Sequence, residues 1–161
     1  MGVDLLIVVT LGTQKQSFKR LLDYVEGSNI QDEIIVQAGY TKYESEKMKI
    51  FDFIPQDELN SYIEKADFLI THGGTGSIIE PLKMGKKIIA CSRLKKYKEH
   101  IDDHQQELVV KFAEEGYILF VDEENSLDEQ IEKISSFKPK KYVSNTEEFL
   151  KKLKEEIRKE D

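Results

Sequence analysis

Cysteine is almost missing from this sequence, and its absence removes whole classes of site. Cys91 is the only one, which excludes an internal disulfide framework and any zinc or iron–sulfur centre built from several cysteines. The pattern is that of a chain kept in a reducing compartment. Long hydrophobic runs are missing too. The longest hold five apolar residues, as in Leu5-Leu6-Ile7-Val8-Val9, against the ~20 that a membrane helix needs. No charged leader with a small-residue cleavage site precedes that run. The expectation is a cytoplasmic chain, recruited to the cytoplasmic face of a membrane only through a partner. Surplus positive charge is the third absence. The 24 Lys and Arg stand against 31 Asp and Glu, a net charge of −7 with a pI near 5.1. That excludes a general nucleic-acid binder whose affinity comes from neutralised phosphates.

What is present reads as one folded unit. At roughly 100–200 residues per domain, 161 residues predict a single domain with room for a tail, and 39% hydrophobic with 34% charged residues suits a soluble globule. Short β-branched runs alternate with helical stretches, the pattern of βαβ units. Strands are expected at 3–10, 33–37, 49–53, 68–71, 87–91 and 117–121, and helices at 17–26, 56–65, 76–84, 104–114 and 127–134. The fold class is α/β: a Rossmann-like, mostly parallel sheet with helices on both faces, over residues 1–137. The pattern breaks at Phe137-Lys138-Pro139, so residues 138–161 read as an appendage. There 145–159 forms a last helix with Phe149, Leu150, Leu153 and Ile157 on one face. That face either packs back on the sheet or docks on a second chain.

The most informative segment is Thr71-His72-Gly73-Gly74-Thr75-Gly76-Ser77-Ile78-Ile79-Glu80, placed where a buried strand gives way to a helix. Glycines let a backbone come close to a ligand, and the free N–H groups and positive dipole end of a helix N-terminus suit an anion. Phosphate is the natural guest. Thr75 and Ser77 add hydroxyl donors and His72 an imidazole, while Glu80, one turn further on, can offer a carboxylate to a ribose diol. Tight strand-to-helix turns also need glycine merely for packing, so the motif alone does not decide.

A second polar cluster, His100-Ile101-Asp102-Asp103-His104-Gln105-Gln106, follows the next strand. In an open parallel sheet both clusters lie at carboxyl ends of strands, where ligands bind. Asp103 at a helix start is equally suited to a cap. His100 and His104 are four residues apart without a third ligand on one helix, so no metal is assigned. A third segment, Thr10-Leu11-Gly12-Thr13-Gln14, ends the first strand, but it lacks the later glycines of a dinucleotide fingerprint, and no Gly-Lys-Ser/Thr makes a P-loop. The basic stretch Arg93-Leu94-Lys95-Lys96-Tyr97-Lys98 reads either as a solvated loop or as an attractor of diphosphate or anionic lipid. Cys91 reads as a small core residue.

Taken together, His72 to Glu80, Gly85 and Asp103-His104-Gln105, with Val9 to Thr13, Phe18 to Leu21, Gln37-Ala38-Gly39 and Ala113 to Gly116, resemble the glycosyltransferase family 28 C-terminal domain. The resemblance covers about residues 3–121. Within that family it points to the small catalytic, donor-binding subunits of two-chain UDP-sugar glycosyltransferases. These act in the N-acetylglucosaminyl transfer of asparagine-linked glycosylation and in bacterial capsule and exopolysaccharide synthesis.

The resemblance implies the C-terminal half of a GT-B fold. It further implies that His72, Gly74, Thr75, Gly76 and Ser77 hold the diphosphate and Glu80 the ribose. Asp103, Gln105 and Gln106 would reach sugar hydroxyls, Gly12 and Thr13 would face the same cleft, and Arg93 and His100 would lie close to it. Where relatives often show Val-Pro-Arg, this sequence has Ala90-Cys91-Ser92-Arg93.

By the same resemblance, the acceptor and the base belong to a membrane-anchored partner subunit carrying a lipid-linked acceptor. The reaction is inverting, the donor is a UDP-sugar, and no cofactor or metal is required. The alternative is a non-catalytic subunit that stimulates a partner transferase.

Overall fold

In the computed structural model, which describes residues 5–141 and Lys151, every strand runs parallel to its neighbours. β1 (Leu6–Thr10) lies between β2 (Glu33–Gln37) and β4 (Phe68–Thr71). β3 (Lys49–Phe51) flanks β2, and β5 (Ile88–Ala90) and β6 (Leu119–Phe120) follow β4. The order is β3-β2-β1-β4-β5-β6, with Val8 opposite Ile35 on one side and Leu69 on the other. Near-continuous apolar strands are what a sheet covered on both faces requires.

Alternate residues of each strand feed two cores. On one face Ile7, Val9, Ile34, Val36 and Ile70 pack against α1 (Lys19–Glu26), which buries Leu21, Leu22 and Val25, and against α5 (Leu127–Ile134). On the other, Val8, Leu69, Ile88 and Ala90 meet α2 (Gln56–Lys65), α3 (Thr75–Lys83) and α4 (His104–Glu114) through Ile63, Ile78, Leu82, Leu108 and Phe112. Local signals set the helix ends. Ser126 Oγ accepts the Glu129 N–H at 3.2 Å as the cap of α5, and Asp57 and Glu58 open α2 while Lys65 closes it, matching the helix dipole.

All the expected elements within residues 5–141 are present; β2, β4, α2, α4 and α5 have the expected ends, β1 starts at Leu6 rather than at 3, and other ends shift. α1 starts at Lys19 rather than at 17, because the fully buried Phe18 lies outside the helical region (φ −130°, ψ 52°) and donates its N–H to Thr41 Oγ1 at 2.9 Å. β3 stops at Phe51, after which the chain turns away and leaves Phe53 55% exposed. α3 starts one residue early, at Thr75. β6 is only two residues long, although Val121 still donates to Ala90 O at 2.8 Å. The expected helix 145–159 lies, apart from Lys151, outside the described residues. Among the described residues no helix is long and apolar enough to cross a membrane.

Candidate functional site

The chain leaves β1 through α1 to one face and crosses through α2 and α3 on the other. The sheet therefore divides at the carboxyl ends of β1 and β4, the switch point where open α/β sheets bind ligands. A cleft of about 720 Å³ opens there. Its polar rim includes Thr10, Gly12, Thr13, His72, Ser77 and Glu80, and Phe53, Leu59, Ile63 and Met84 form an apolar wall running between α2 and α3.

His72 organises the rim. Its ring is buried, with 6% exposure, and burial, helped by the nearby Arg93 charge, lowers its pKa to about 4. It is therefore neutral at physiological pH. Nδ1 accepts the Gly74 N–H at 3.2 Å and faces Gln105 Nε2 at 3.4 Å, which places the ring hydrogen on Nε2. Nε2 stands 3.0 Å from Ser77 Oγ, so it donates there. The Ser77 hydroxyl, having accepted, is left with its own hydrogen to give. Around the imidazole there is no room for side chains. A Cβ on Gly12 would lie 2.6 Å from His72 Nε2, and one on Gly74 would collide with the ring.

Gly76 differs: a Cβ there would meet nothing within 4 Å. It lies in the first turn of α3, which no side chain caps. Cleft-facing backbone donors, a hydroxyl with a hydrogen to give and a positive helix end together make an anion site. Glu80, one turn along, is 71% exposed in its side chain and 3.7 Å from Lys83 Nζ.

Of the residues read from the sequence, Gly12, Thr13, His72, Gly74, Gly76, Ser77 and Glu80 line this cleft, and Thr75 starts the helix beside it. The second cluster does not line it. Arg93 corrects the expectation most: it is fully buried. It donates to Leu11 O at 2.7 Å, Gln16 O at 2.7 Å and Glu99 O at 3.0 Å, stitching the β1–α1 loop to the segment after β5.

Gln105 is likewise turned inward. Its Oε1 accepts from Gly73 N at 3.2 Å and Arg93 N at 3.0 Å. Gln106 Oε1 accepts from the Ser92 hydroxyl. Asp103 accepts the Lys95 N–H at 2.8 Å. The carboxylate that accepts the His104 N–H, at 3.1 Å, is that of Asp102, which also meets His100 Nδ1 at 3.1 Å. Among the described residues no group of three His, Cys, Asp or Glu is placed to hold a metal ion.

Sequence reasoning gave Gln37 no role in the site. Its amide exchanges two bonds with the Gly12 peptide, donating to Gly12 O at 3.0 Å and accepting from Gly12 N at 3.2 Å. This fixes the left-handed Gly12 (φ 81°). A polar residue closing an otherwise apolar strand was the signal. Phe53, Gln56 and Asn60, also on the cleft, gave none.

The model of the glycosyltransferase family 28 C-terminal domain matches residues 6–159. The chain is 29% identical over 113 residues to the UDP-N-acetylglucosamine transferase subunit ALG13 of Saccharomyces cerevisiae, covering 70% of this chain and 50% of that one. It is 35% identical over 95 residues to the subunit of the same name in Debaryomyces hansenii, covering 59% and 42%. It thus spans half or less of the length of these curated relatives. An NMR solution structure of ALG13 superposes with a TM-score of 0.61 at 20% identity, covering 93% of this chain and 95% of that one, which shows a shared fold.

Proposed function

We propose that this chain, which belongs to the glycosyltransferase family 28 C-terminal domain family, is the donor-binding subunit of a UDP-sugar-dependent inverting glycosyltransferase. The observation that carries the reading is the uncapped start of α3 in the cleft, with the Ser77 hydroxyl turned by His72 to donate. The diphosphate rests on the N–H groups of Thr75, Gly76 and Ser77. Glu80 takes the ribose diol, the wall of Phe53, Leu59 and Ile63 takes the base, and Gly12 and Thr13 close the opposite side. Gln105 supports the turn from behind, and Asp103 and Gln106, bonded to the Lys95 N–H and the Ser92 hydroxyl, brace the segment after β5.

In the transfer, the acceptor hydroxyl attacks the anomeric carbon as the bond to UDP breaks. The growing negative charge on the leaving diphosphate is met by preorganised donors. The base that takes the acceptor proton is assigned to the partner. His72 cannot serve, since burial holds its pKa near 4 and both ring nitrogens are occupied.

A partner also suits the surface. Of the large exposed hydrophobics, Tyr40, Phe53, Tyr97 and Ile101 all follow carboxyl ends of strands, an apolar concentration expected of a docking edge. We assign that edge to a membrane-anchored, acceptor-binding subunit that presents a lipid-linked acceptor, and residues 138–161 to an appendage outside the donor domain.

A second reading is a non-catalytic subunit that stimulates its partner, since the curated relatives are themselves subunits of a transferase. Titration calorimetry with UDP, UDP-N-acetylglucosamine, UDP-glucose, UDP-galactose and UDP-glucuronate, with NAD and ATP as controls, separates the two. The donor reading expects selective binding of the UDP compounds. Absence of binding both alone and with the partner transfers the lead to the stimulatory reading.

A further inference from the structure

Beneath the cleft lies a charge imbalance that bracing does not require. Arg20 grips Glu99 in a forked pair, Nε to Oε2 at 3.0 Å and a terminal nitrogen to Oε1 at 2.9 Å, with side-chain exposures of 16% and 4%. Burial works against the Arg20 charge, but Glu99, Cys91 and Tyr24 together outweigh it and raise its pKa.

Arg93 has no carboxylate bonded to it. Its partners are the carbonyls of Leu11, Gln16 and Glu99 and the face of Phe18, 5.0 Å from the guanidinium. Its Nε has no hydrogen-bond partner. A fully buried guanidinium and a partly buried one thus stand beside one carboxylate. Nearby groups do not pair with Arg93: burial raises the Cys91 thiol to about 11, so it is uncharged, Lys96 and Glu123 pair with each other on the surface, and the half-buried Asp122 carboxylate keeps its charge but is bonded to the N–H groups of its own turn and to neither guanidinium. Burying an unmatched cation is costly, and neutral donors would satisfy the same carbonyls at lower cost.

We propose that the Arg20–Glu99–Arg93 cluster is a specificity-determining element of the cleft: its surplus positive charge favours a nucleoside diphosphate over an uncharged nucleoside at the turn of His72 and Ser77, without either guanidinium touching the ligand. The proposal rests on the donor-site reading. The geometry is close. Arg93 bonds to the carbonyl of Leu11, next to Gly12, and its own N–H shares the Gln105 oxygen with Gly73. A single layer of backbone therefore separates the charge from the cleft. The depressed His72, which feels Arg93, fits a field that reaches the turn. One unit of charge acting through partly buried surroundings corresponds to about three- to tenfold in affinity for an anion.

The test compares UDP with uridine by calorimetry at pH 8 in the wild-type chain, Glu99→Gln, Arg20→Gln and Arg20→Lys. It is paired with an NMR titration of the His72 ring and an unfolding midpoint for each variant. The expected result has opposite signs. Glu99→Gln tightens UDP and lowers the His72 pKa further, Arg20→Gln weakens UDP and raises it, Arg20→Lys behaves as wild type, and uridine is unchanged throughout. UDP affinities within about twofold of wild type in folded Glu99→Gln and Arg20→Gln, or equal changes for UDP and uridine, overturn the proposal. A wild-type chain that binds neither ligand overturns the donor-site reading instead. The cluster is then judged on His72, and an unmoved titration overturns it too.

Discussion

Two neighbouring strand-to-helix junctions, 72–77 after β4 and 92–103 after β5, look alike in sequence: both are polar, both contain histidine, and both lie at carboxyl ends of strands. Their side chains do opposite things. In the first, His72 spends both ring nitrogens so that Ser77 and the first turn of α3 face open space. In the second, Arg93, Gln105, Gln106 and Asp103 each bond to the protein itself. Polar content marks where chemistry is possible. The hydrogen-bond partners divide the residues that meet a ligand from those that hold the residues that do.

The sharpest way to break this contrast is Arg93→Met. It leaves three carbonyls unmatched in a buried site, so we expect a loss of about 3–5 kcal/mol in urea unfolding. A ligand contact would show a small change in stability and a large one in affinity.

His72 comes next. Its pKa is about 4 in the folded chain against ~6.5 unfolded. The unfolded state therefore takes up a proton first as the pH falls, and stability present above about pH 6.5 is lost on the way down to about pH 4, on the order of 3 kcal/mol. Denaturant melts between pH 7.5 and 4.5 should flatten for His72→Gln by that amount.

The glycines then sharpen the division. Gly74→Ala drives a methyl into the imidazole and should cost about 2 kcal/mol. Gly76→Ala has open space and should leave stability unchanged or raised by about 0.5–1 kcal/mol, while UDP affinity drops about tenfold as the methyl fills the anion site. Smallest in its effect on the fold is Glu80→Ala. Its stability should stay within about 0.5 kcal/mol and UDP binding should weaken by about 1–3 kcal/mol; unchanged affinity removes Glu80 from the site.

Much of the architecture was legible in the sequence. Short apolar runs and helical spacing act locally and survive tertiary packing, which is why β2, β4 and α2 fall where expected. The ends that moved answer to distant partners, as at Phe18, whose N–H is taken by Thr41.

The site divides the same way. The glycine turn was readable because its requirements lie within ten residues. The role of Arg93 was not readable because its carbonyl partners on the β1–α1 loop are 77 and 82 positions away, and the role of Gln37 depends on Gly12, 25 positions back. Nothing in the local pattern distinguishes a cation reaching for a ligand from one reaching for main-chain oxygen. Glycine itself had two meanings within one motif, clearance around His72 at Gly74 and access at Gly76, and spacing alone could not tell them apart.

The reciprocal pair between Gln37 and the Gly12 peptide also bears on timing. With that peptide held from both ends, one lip of the cleft has its final shape before anything enters it, so little chain entropy is left to lose on association. Such a surface holds a guest more tightly for the same contacts than one that must order itself first. Any closure over a bound guest must then come from outside this lip.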